Sequence, residues 1–96
     1  ITIKRQVNEI ARNLLLTLEE EGELSSEDLA LANDNLNQLG ITNYTIIYNN
    51  NNSKATYGDT VSIRINATAT AQEIGVRQYI GEKEFSTYIE SRMRGR

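Results

Sequence analysis

The chain has 96 residues, a net charge of −3, and no cysteine, histidine, tryptophan or proline. That length makes one domain with a modest core, and the missing imidazole and thiol exclude the usual general base, a thiolate nucleophile, disulfides and most zinc sites. Leu, Ile and Val dominate a 39% apolar share, which excludes a disordered tail, and no apolar run approaches the ~18 residues that would span a bilayer.

The first element is an amphipathic helix over residues 1–21. Ile3, Val7, Ile10, Ala11, Leu14 and Leu18 recur at the three- and four-residue spacing of one helical face. Gly22 supplies a left-handed stop. No leader comes before the stripe, and the expectation is that the natural protein continues upstream of Ile1. A second helix starts at Ser25, which can cap with Asp28, while Leu24 and Leu29 sit at the two positions of a hydrophobic staple. Its apolar face is Leu29, Ala32, Leu36 and Leu39, and Gly40 ends it. The short link predicts an αα-hairpin.

After Gly40 the period becomes two. Tyr44, Ile46 and Tyr48 alternate with Thr45 and Ile47 in a short strand, and Asn49 to Ser53 make the turn. The strongest strand follows, with Val61, Ile63, Ile65, Ala67 and Ala69 on one face and Ser62, Arg64, Asn66, Thr68 and Thr70 on the other. Such alternation predicts a sheet with one dry and one wet face, in a register a one-residue slip would ruin. The small Ala67 and Ala69 predict a helix packed close at that end. Between Gly75 and Gly81, residues 76–80 read equally as a short strand or an irregular loop. A final strand alternates Phe85, Thr87, Ile89 and Met93 with Ser86, Tyr88, Glu90 and Arg92. The expected fold is α+β, in the order α-α-β-β-β, with the helices packed on one face of a three-stranded antiparallel sheet. Ile10, Leu14 and Leu18 should meet Val61, Ile63 and Ile65.

The chemistry is sparse. Glu82 and Glu84 share a face only in extended chain, where a solvated strand entry explains them better than an acid/base pair. Asp59 beside Gly58 reads as turn chemistry. The asparagine run has oxygens for calcium but no carboxylate, and the basic residues form no stripe with interleaved aromatics that would take nucleic acid. No catalytic, cofactor-binding or metal-ligating residue emerges, and no small-molecule substrate is expected. Residues 1–40 carry three basic and eight acidic side chains, a net −5, and residues 41–96 seven and five, a net +2. Glu19, Glu20, Glu21, Glu23, Glu27 and Asp28 form an acidic knot, and Arg92, Arg94 and Arg96 a basic end. These read as a solvated corner with a charged tail, or as a head-to-tail contact between copies. Five tyrosines are the enriched class. Tyr44, Tyr48 and Tyr88, with Arg92, are candidates for a self-assembly surface on an open sheet face, against the plainer reading of strand packing with the hydroxyl at the rim.

Three segments carry a family likeness: Gln6-Val7-Asn8-Glu9-Ile10-Ala11-Arg12, the helix exit Leu36-Asn37-Gln38-Leu39-Gly40-Ile41, and Tyr57-Gly58-Asp59-Thr60-Val61-Ser62-Ile63 leading into the long strand. Over residues 1–71 the chain resembles the soluble domains of TadE-like pseudopilins, most of all the pilin-like proteins of Gram-positive conjugative elements. The resemblance implies a non-enzymatic structural subunit whose head lies outside the cytoplasm, at the cell surface. It also implies a membrane helix directly before the first segment, and pilin-like subunits or envelope proteins as partners. The alternative is a cell-envelope module that binds a ligand or protein without catalysis.

Overall fold

The structure is a computed structural model describing residues 3–41, 43–70 and 82–94. It contains helices α1 (Ile3–Glu21) and α2 (Ser26–Gln38) and strands β1 (Asn43–Tyr48), β2 (Thr60–Thr70) and β3 (Glu82–Arg92). The strands form an antiparallel meander in the order β1-β2-β3, and α1 lies along β2 and β3 with α2 packed beside it. This is the α+β arrangement the periodicities predict. Ile1, Ile3's side chain and residues 71–81, including the ambiguous 76–80 stretch, lie outside the description.

Local chemistry explains the helix ends. Ser25 Oγ accepts from the Asp28 amide at 3.1 Å while Asp28 Oδ2 accepts from the Ser25 amide at 3.0 Å, so each satisfies a donor the helix start leaves open. At the far end the Ile41 amide donates to Leu36 and the Gly40 amide to Asn37. Gly40 adopts φ +88°, which completes a Schellman motif with Leu36 and Ile41 fully buried.

The core forms where the two stripes meet. Val7, Ala11, Leu14 and Leu18 of α1 and Val61, Ile63 and Ile65 of β2 are buried in one cluster with Leu36 and Ile41. Ile63 and Ile65, central in the sheet, are 0% exposed. The corner at Gly22 is tight for a second reason besides its φ of +80°. Its carbonyl takes the Ala55 amide at 2.9 Å, and a Cβ there would fall on the Ala55 carbonyl.

Candidate functional site

Register decides which side chains share a face. Tyr44, Ile46 and Tyr48 stand opposite Ala67, Ile65 and Ile63, so they point to the helix side. Tyr44 is half-buried and donates its hydroxyl to Asn33 Oδ1 of α2 at 2.7 Å; Tyr48 packs against the core. Tyr88 and Arg92 oppose Arg64 and Thr60 and stand on the other, open face. The four candidates therefore do not form one surface. Tyr44 and Tyr48 are packing residues, and Tyr88 and Arg92 alone keep the expected position. The reason is that each strand's alternation groups its own residues, and only the register between strands places Tyr44 and Tyr48 on the face opposite Tyr88.

On the open face Arg64 lies over the Tyr88 ring, 4.5 Å from its centroid, a favourable stacking of a cation on a π-face. The Tyr88 hydroxyl donates to Glu90 at 2.9 Å, and Arg92 donates to the Gly58 carbonyl at 3.0 Å. Beside it, Gly58 (φ +88°) and Asp59 close a turn that leaves Tyr57 79% exposed. Both the amide and the hydroxyl of Thr56 donate to Asp59 Oδ2 and hold that carboxyl below its ordinary range.

The asparagine run serves the backbone. Asn49 Nδ2 donates to the Gly22 and Ser53 carbonyls, and its Oδ1 accepts from the Ser62 amide. Asn52 Oδ1 accepts from the Tyr48 amide, while the Asn52 amide donates back to the Tyr48 carbonyl. These bonds engage the side-chain oxygens of Asn49 and Asn52. No described His, Cys, Asp and Glu side chains gather as a metal site. Glu84 is exposed at the rim of a polar cleft of about 450 Å³ at one sheet end.

The charged regions also fall differently from a head-to-tail arrangement. The Arg94 amide donates to the Glu19 carbonyl at 2.8 Å, and Lys54 lies 3.9 Å from Glu23. Head-to-tail contact needs opposite charges at opposite poles. Here the acidic corner and Arg94 share one pole.

One feature escaped the sequence reading. Lys4, Asn8 and Arg12 wall a groove of about 300 Å³ whose other side is residues 86–89 of β3. Thr87 donates its hydroxyl to Asn8 at the bottom of it. The signal was present as a polar row at four-residue spacing on one flank of the apolar stripe.

No protein-family model, curated protein or solved structure matches the chain. Among the described residues, no helix is long and apolar enough to cross a membrane.

Proposed function

We propose that the chain is a structural, pilin-like head domain, carried outside the cytoplasm by a membrane segment upstream and serving a cell-surface, secretion or conjugation apparatus. The observation that supports this is the clamping of α1 at both ends. Asn8 is tied to Thr87 near its start and Glu19 to Arg94 near its finish, with the buried stripe between them. A helix held so firmly along a sheet would carry the head rigidly on any upstream continuation of the same helix. Fractionation of the full-length gene product, with protease added from outside, tests the reading. The expected result is a membrane-bound product whose head is cleaved externally. A wholly cytosolic product would overturn it.

The second reading, an envelope binding module, is favoured by a different observation: the groove along β3 and the sheet edge beside it.

A further inference from the structure

The two outer edges of the sheet can be read from the hydrogen-bond alternation. In an antiparallel pair each residue turns both its amide and its carbonyl to the same neighbour, and successive residues alternate sides. The Asn49 amide donates to the Ser62 carbonyl and the Ser62 amide to the Asn49 side chain, so Ser62 and the other even-numbered residues of β2 face β1. The odd-numbered ones then face β3, pairing with Phe85, Thr87, Ile89 and Ser91. Met93 keeps the phase by donating its amide to Asp59. Glu84, Ser86, Tyr88, Glu90 and Arg92 are left with their main-chain groups pointing outward. Among the described residues no main-chain bond reaches this edge until Arg94, where the Glu19 carbonyl takes the next outward amide.

We propose that this edge of β3 is a docking site for an extended acidic segment of a partner protein, which adds as a fourth strand. An exposed, unblocked edge offers main-chain affinity, and flanking side chains offer selection. Side chains of an added strand alternate between faces, so every second one enters the groove walled by Lys4 and Arg12, both exposed. Two cations on that wall select carboxylates. The same pair disfavours a second copy. Pairing β3 with its own twin about a two-fold axis would bring Lys4 and Arg12 toward the same residues of the other copy, like charge against like. The inference does not depend on the membrane-anchored reading, since it concerns only residues of this domain.

The test uses the purified domain and a fluorescent peptide of alternating Glu and Val, with a Lys–Val peptide as control. The expected result is saturable binding of the Glu–Val peptide only, weakening with salt. Amide shifts and slowed exchange should concentrate at Ser86, Tyr88 and Glu90. Ser86→Pro removes an outward amide and no ladder bond, so it should abolish binding with little change in the denaturation midpoint. The double variant Lys4→Glu/Arg12→Glu leaves the sheet untouched and should weaken binding by roughly tenfold or more. Equal binding of the Lys–Val peptide, shifts mapping elsewhere, full affinity in the double variant, or no binding at all would each overturn the proposal. So would dimerisation of the free protein through this edge.

Discussion

The two edges of this sheet are capped at different points and flanked by different chemistry. On β1, where Tyr44, Ile46 and Tyr48 turn their main-chain groups outward, those of Tyr48 are taken by Asn52, whose side chain and amide together imitate a neighbouring strand. On β3, among the described residues, no main-chain bond takes the outward groups from Glu84 to Arg92 beside a cationic groove until α1 takes the Arg94 amide. Free edges invite pairing with other chains, and folded proteins block those they do not use. A chain that caps the turn end of one edge with an asparagine and sets the other beside two cations has made the two chemically distinct.

Substitutions can break or sharpen that contrast. The largest effect should come from the core beneath both edges. Leu14→Ala should cost ~2–5 kcal/mol, the range for truncating a packed leucine, and should lower the denaturant midpoint without favouring either edge. An unchanged midpoint would mean α1 does not seal the sheet. Next is Asn49→Gly, which keeps the positive φ of 52° but strips partners from Gly22, Ser53 and Ser62. It should cost about 1–3 kcal/mol, the penalty for leaving such groups unpaired. Asn52→Gly should cost only ~0.5–1.5 kcal/mol, yet it bears most directly on the comparison. Hydrogen exchange of the Tyr48 amide should rise to the rate of the outward Tyr88 amide, while the inward Thr87 amide stays protected. Equal protection of Tyr48 in variant and wild type would remove the claim that Asn52 caps that end of the edge.

The smallest effect concerns pH. Asp59 has a folded pKa lowered by the two bonds from Thr56. Its contribution is therefore complete above the unfolded carboxylate range and is lost as pH falls through the lowered folded value. The gap in thermal midpoint between wild type and Asp59→Asn should narrow on acidification. Because the carboxylate is fully exposed, the change should be slight. A widening gap would mean the bonds favour the protonated form.

Most of the fold is legible before any coordinate is known. The capping box at Ser25, the glycine stops at 22 and 40, and the five alternations of β2 are local signals, and local signals survive folding. What was not legible depends on distance. The pattern in β1 shows that Tyr44 and Tyr48 share a face, and the pattern in β3 shows where Tyr88 lies relative to Ile89. Only register relates the two strands, and register is set by the asparagine turn and the core together. Composition likewise shows that asparagine tolerates a positive φ, while nothing near Asn49 announces a bond to Gly22. The charge imbalance between the halves was plain, and the fold brought its two extremes to one corner. The open β3 edge needed the hydrogen-bond phase, which no side-chain pattern records.

The course of α1 has a mechanical consequence. The helix touches β3 at Asn8–Thr87 and again at Glu19–Arg94, so helix and strand run the same way along the molecule. A pull applied at the amino end of α1, against a load held on the sheet, acts along both elements at once. Contacts loaded in shear share the tension and yield together. The same contacts, peeled from one end, would give way singly. A pull along the first helix thus loads both of these contacts together.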